Sequence, residues 1–102
     1  MNNATNDDVL LRTDANGIAT LTLNRPEARN ALSTGLMAAL QTELDRISSD
    51  KDVRVVVIAA NGPAYCAGHD LREVRSSPQR ASYEALFAQC SKLMMSITRL
   101  PQ

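Results

Sequence analysis

VRVVVIAANGPAYCAGHDLREV, residues 53–74, changes character twice along its length. It opens with VRVVVIAA, 53–60, a run that is apolar apart from Arg54. Such a run, rich in β-branched residues, suits a strand covered on both faces, as in a parallel sheet. NGPAYCAGHD, 61–70, then brings two glycines, a proline, a cysteine, an aspartate and the chain's single histidine. After it, 70–75 reads as a short helical turn. In open α/β sheets, ligands bind beyond the carboxyl ends of the strands, which is where this loop falls.

Upstream, 8–13 reads as a strand, DANG as a turn with Gly17 suited to positive φ, and 18–24 as a second strand. In that second strand Ile18, Thr20 and Thr22 alternate with Ala19, Leu21 and Leu23, so the pair forms a hairpin. Pro26 stops the strand. From Ser33 the apolar period becomes helical: Leu36, Met37, Leu40, Leu44 and Ile47 share one face, with Ser33 or Thr34 as N-cap. Strand, helix, strand predicts a βαβ unit with a right-handed crossover. Downstream, Pro78 interrupts and a last helix covers about 82–99. Its stripe is Leu86, Cys90, Leu93 and Ile97, joined by Phe87 and Met94, and Pro101 marks its end.

The expected fold class is therefore α/β. Residues 1–7 are expected to be disordered, and 8–102 to form one unit whose sheet edges and helix stripe ask for further cover. The expectation is the front part of a larger layered domain.

Eleven basic and eleven acidic residues cancel, which argues against a nucleic acid or an anionic membrane as the dominant partner. Arginines do gather locally, as Arg25 with Arg29 and as Arg72, Arg75 and Arg80. They read as solvated surface, or as contacts for a small polyanion. The polar, acidic start lacks the pattern of a secretory or mitochondrial leader, and no run approaches the roughly 18 apolar residues of a membrane span. A cytoplasmic, reducing setting with Cys66 and Cys90 as free thiols is the expectation.

The loop's chemistry starts from its backbone. Gly62 and Gly68 permit φ values closed to other residues and a close approach of ligand to main chain. The amides after Gly68 open a helical turn, so they are donors without helical partners. Such donors hold a phosphate or a carbonyl oxygen that is gaining charge. The side chains leave several readings open. Cys66 and His69 have the C-x-x-H spacing of half a zinc site, but no second Cys or His pair exists, so no metal is expected. Cys66 with His69 as base would make a thiol nucleophile. The preferred reading uses only the N–H of His69. Asp70 suits the cap of the following turn better than acid–base work. Cys90 sits in an apolar stripe and reads as core.

Three segments in this order resemble the enoyl-CoA hydratase/isomerase, or crotonase, family. IATLTLNRPEARNALS resembles its opening strand and N-R-P-x-x-x-N-A-L signature. VRVVVIAANGPAYCAGHDLREV resembles its strand and A-G-x-D-[LI] loop, and LMMSITRLPQ the helix before its next strand. The resemblance implies a ββα spiral, here only its N-terminal part. It implies an acyl-CoA enzyme of fatty-acid metabolism that stabilises a thioester enolate in an oxyanion hole, for hydration of a 2-enoyl-CoA or related lyase or isomerase chemistry. By the same resemblance the N–H of His69, after Gly68, is one oxyanion donor. Arg25, Glu27, Ala28, Arg29, Cys66, Ala67, Gly68, Asp70 and Arg72 are the expected CoA contacts. CoA is part of the substrate, so no separate cofactor is implied. The second donor and the catalytic glutamates of the family lie further along than Gln102, and Glu73 and Glu84 are not at their positions. Little or no turnover by these residues alone is therefore expected, with a non-catalytic CoA-binding or interaction fragment as the alternative. Relatives form trimers or pairs of trimers, so a homotrimer or hexamer is implied at full length.

Overall fold

The computed structural model describes residues 8–102; the expectation for 1–7 lies outside the described residues. Strand β1 spans Leu10–Ala15 and β2 spans Ile18–Leu23, paired antiparallel with Ala15 opposite Ile18. The first strand thus starts two residues later than the sequence suggests. Asn16 and Gly17, between the strands, both have positive φ, 54° and 80°. That pair is the two-residue hairpin turn whose twist matches the strands it joins. Strand β3, Val55–Ala60, lies parallel to β2, from Ile18 opposite Val55 to Leu23 opposite Ala60. The sheet order is β1-β2-β3, with β2 in the middle.

Helix α1, Thr34–Ser48, connects β2 to β3, as the parallel pairing requires. Ser33 is its N-cap, its hydroxyl accepting from the Leu36 amide at 3.1 Å. All five residues of the expected face are buried. They meet Ala19, Leu21 and Leu23, the inward half of the alternation in β2. Helix α2, Leu71–Ser76, follows the loop, and α3, Arg80–Arg99, packs on α1. Leu86 and Leu93 are buried within this cluster, with Cys90 and Ile97 packed against it.

Two expectations need correction. Strand β3 is covered on one face only: Val55 and Val57 are 48% and 41% exposed, while Val56 and Ile58 join the core. Ile18, beside Val55, is exposed in the same way. Among the described residues both long helices contribute to a single core, and no element lies over the other side of the sheet. Phe87 and Met94 also fall outside the packed stripe, at 54% and 42% exposed. Each follows a buried leucine by one residue, and one residue is about 100° of helix rotation. That step carries both side chains off the contact with α1.

This distinction gives a test. Leu93→Ala is expected to cost about 2–5 kcal/mol, and Met94→Ala under about 0.5 kcal/mol. Urea unfolding followed by circular dichroism measures both; equal costs would mean that α3 is rotated from the orientation described.

Candidate functional site

Two stretches far apart in sequence make one structure here. Asn24–Leu32 leaves β2, and Asn61–Asp70 leaves β3, both at the same end of the sheet. After β2 the chain makes one 3-10 turn, Pro26–Ala28. Arg29 and Asn30 follow in the left-handed region, with φ of 54° and 55°. Asparagine tolerates that conformation better than most residues. The Asn30 side chain is fully buried. Its Oδ1 accepts from the Arg25 amide at 2.7 Å, and its Nδ2 donates to the carbonyls of Asn61 and Ala64 at 2.8 and 2.9 Å. One side chain therefore closes its own turn and holds the second loop.

Main-chain bonds extend this seam. The Ala67 amide donates to Arg29 O, the Leu32 amide to Gly68 O and the Asp70 amide to Leu32 O, at 3.1, 2.6 and 3.0 Å. The last two make a parallel bridge between Leu32 and His69. A Cβ added at Gly62 would lie 2.6 Å from the Cβ of Pro26, so the close approach there is of one loop to the other. At Gly68, φ is +93° and a Cβ would meet nothing within 4 Å. The requirement at Gly68 is conformational, and the space in front of it is open.

In a parallel bridge the residue at the centre uses its neighbours' groups and leaves its own N–H on the opposite side. Here the bonds to Leu32 come from Gly68 and Asp70. The N–H of His69 has no hydrogen-bond partner among the described residues. His69 lines a cleft of about 440 Å³, formed by the two loops and the start of α2. Arg25, Glu27, Ala28, Ala67, Asp70 and Arg72 line the cleft with His69, as do Ala31 and Leu71. Arg29, Cys66 and Gly68 belong to the same loops but not to that wall.

The charged residues divide by partner. Arg25 donates to Ala31 O at 2.7 Å and pairs with Asp70 at 3.0 Å, both side chains being mostly buried. Asp70 also caps α2, accepting from the amides of Arg72 and Glu73 at 3.1 and 3.4 Å. The Arg25 hydrogen bond holds the Asp70 carboxyl below its ordinary range; burial opposes this, and the two capping amides assist. Asp70 is a structural anion, as its capping role suggested. Arg29 and Arg72 are exposed and make no ion pair among the described residues. Glu73 binds the amide and hydroxyl of Thr34 at 2.7 and 3.0 Å, which ties α2 to the start of α1.

The ring of His69 stands edge-on to Phe87, with centroids 5.5 Å apart and planes at 70°. Among the described residues no hydrogen bond joins Cys66 to His69, so the thiol–imidazole relay is not formed. Nor do three His, Cys, Asp or Glu side chains converge there as a ligand set. Sequence reasoning gave Asn30 no role. The available signal was an asparagine in a turn immediately before an apolar pair, where a left-handed backbone and a buried amide are compatible.

Asn30→Ala would strand two carbonyls and an amide, and is expected to destabilise by at least about 2 kcal/mol. Asn24→Ala, which loses bonds at a half-exposed position, serves as the comparison. For the ion pair, the sign follows from the lowered carboxyl. Its stabilisation is complete above the unfolded aspartate pKa of about 3.9 and disappears as pH falls through the folded value. The gap in urea midpoint between the native chain and Asp70→Asn should therefore close as pH falls below the unfolded aspartate value. A gap of constant size over that range would remove the ion pair as its cause.

Comparison with known proteins agrees with this fold. The family model described as enoyl-CoA hydratase/isomerase matches residues 18–102. The human protein named enoyl-CoA hydratase domain-containing protein 3, mitochondrial, is 36% identical over 85 residues, 83% of this chain and 28% of its own length. Enoyl-CoA hydratase EchA19 of Mycobacterium tuberculosis is 39% identical over 64 residues, 63% of this chain and 24% of its own length. Among solved structures, an enoyl-CoA hydratase of Mycobacterium smegmatis superposes with a TM-score of 0.90 at 51% identity, over 93% of this chain and 37% of that one. One from Bacillus anthracis gives 0.89 at 28% identity, over the same 93% and 37%. The present sequence thus spans between a quarter and two fifths of the length of these relatives. With the α/β crotonase fold over nearly all its residues, the chain belongs to the enoyl-CoA hydratase/isomerase family.

Proposed function

We propose that this chain forms the acyl-CoA-binding part of a crotonase-type site and supplies one donor of its oxyanion hole. The observation that carries the reading is that His69, a residue lining the cleft, has an amide without a hydrogen-bond partner among the described residues. A thioester carbonyl that becomes an enolate gains charge on oxygen. A fixed, unpartnered N–H stabilises that oxygen without having to break a bond first. The bridge to Leu32 fixes this N–H, so its direction is set before any ligand arrives.

The CoA contacts follow from the same wall. Glu27, Ala28 and Ala67 line it, as does Arg72, an exposed cation without an ion pair among the described residues. Arg29, exposed beside it, is the second cation suited to a phosphate. Arg25 holds the loop through Asp70 and contributes to binding by positioning. Gly68 acts through the backbone conformation it gives the loop, and Cys66, two residues before it, is read as a main-chain contact.

Turnover requires groups that accept and return a proton. Glu73 is committed to Thr34, and Glu84 to Arg80 on an exposed helix surface. The reading is therefore of binding and charge stabilisation here, with hydration, isomerisation or lyase chemistry belonging to a complete site of 2-enoyl-CoA type. The free thiols Cys66 and Cys90 suit a reducing compartment, and we place the protein in the cytoplasm on that ground. Assembly as a trimer or hexamer is part of the same proposal for a full-length form.

Calorimetry with CoA tests the reading. Gly68→Ala forces a side chain into a φ of +93°, which shifts the loop without blocking space. Binding of CoA is expected to weaken by about tenfold or more in that variant. Arg72→Ala should weaken it less and flatten its dependence on salt. No CoA binding by the native chain, or equal binding by Gly68→Ala, would sink the assignment.

A further inference from the structure

Strand β3 is the edge of the sheet, and no strand lies beyond it among the described residues. Its hydrogen-bonding phase tells which main-chain groups are left over. The Val55 amide donates to Gly17 O at 3.2 Å, and the Asn61 amide to Leu23 O at 2.9 Å. A parallel ladder uses both main-chain groups of every second residue. Val55, Val57 and Ala59 therefore bond inward to β2, and the N–H and C=O groups of Val56, Ile58 and Ala60 point out along the edge. One of these is met: the Tyr65 hydroxyl donates to Ile58 O at 3.2 Å. The others have no partner among the described residues.

A bare edge is a template for another strand, and proteins blunt it with charge, proline or a bulge. Val55–Ala60, VVVIAA, has no charge and no proline, and pairs with β2 without a bulge. Ile18, Val55 and Val57 leave apolar surface open on the adjoining face of the sheet. The cover at the edge is a single bond from Tyr65, a residue that is 59% exposed.

The occupant that fits this edge is its own copy. A twofold axis at Ile58 sets Ile58 against Ile58 of the second copy and Val56 against Ala60, so each outward N–H meets an outward C=O. We propose that a second copy of this chain pairs antiparallel with β3 in that register, releasing the Tyr65 hydroxyl. On the open face Val57 then lies opposite Ala59 of the second copy and diagonal to its Val57, roughly 7–8 Å away. The two apolar surfaces become continuous. No charge on β3 opposes the approach, and the basic and acidic residues of the chain cancel. A six-residue edge offers less than the roughly 800 Å² per partner of a standard interface, so the dimer is weak and forms as concentration rises. The pairing does not involve the cleft at His69 and stands apart from the acyl-CoA reading.

Sedimentation equilibrium and amide exchange followed by NMR, both on the full chain, test the pairing. The mean mass should rise from monomer towards dimer with concentration. The amides of Val56, Ile58 and Ala60 should gain protection as it does, while those of Val55, Val57 and Ala59 are protected throughout. Val57→Lys, at a position already exposed, brings two like charges together and should weaken association by about tenfold or more. Tyr65→Phe, which frees Ile58 O, should strengthen it by about two- to tenfold. A chain that stays monomeric at every concentration overturns the inference. So does growth past the dimer into open-ended assemblies, or a dimer whose edge amides exchange as they do in the monomer. Should Val57→Lys unfold, as circular dichroism would reveal, amide exchange and Tyr65→Phe still decide.

Discussion

The buried amide of Asn30 is where two turns, thirty-odd residues apart, become one object. A side chain of that kind in a sealed position must find partners for its oxygen and both its hydrogens, because an unmet group there costs about as much as a lost hydrogen bond. Asn30 finds all three in main-chain groups. The loop after β3 has few apolar side chains with which to fix itself. Its position is specified by hydrogen bonds, and those bonds start from the turn after β2. Parallel pairing of β2 with β3 brings the two turns to the same end of the sheet, so the sheet's topology is a precondition for the contact.

From that contact the rest of the site follows in order. Once Asn61 and Ala64 are held, Ala67 and Gly68 can bond back to Arg29 and Leu32. The bridge at Leu32 then consumes the groups on either side of His69 and leaves its amide free. Arg25 and Asp70 close the other side, and the capping role of Asp70 starts α2 at a fixed place. Charge is thus used in two ways across a short distance. The Arg25–Asp70 pair is enclosed and organises the loop, where removing one partner alone would leave a costly charge. Arg29 and Arg72 remain in solvent.

Much of this was legible in the sequence, for reasons that differ by element. The period-two pattern of β2 and the helical stripe of α1 each report a surface packed on one side, and both are buried as read. The apolar run of β3 was misleading, because a continuous hydrophobic run does not say how many faces are covered within the residues at hand; Val55 and Val57 are open. Phe87 and Met94 were grouped with the stripe of α3 by composition, though their angular offset puts them beside it. At the site, the glycines and Asp70 announced the loop and its cap. What the sequence could not give was the partner of Arg25. An arginine reads as a free cation until the fold shows a carboxylate forty-five residues away within 3.0 Å. The role of Asn30 was hidden for the same reason, since its three partners lie on backbone, which has no sequence signature.

A site built from main-chain donors has a consequence for the residue that carries the donor. The direction of the His69 amide depends on Gly68, Leu32 and Asp70, none of which involves the imidazole. The side chain at this position therefore takes no part in fixing that amide. In this chain the position is occupied by a ring with an unsatisfied nitrogen and an aromatic neighbour.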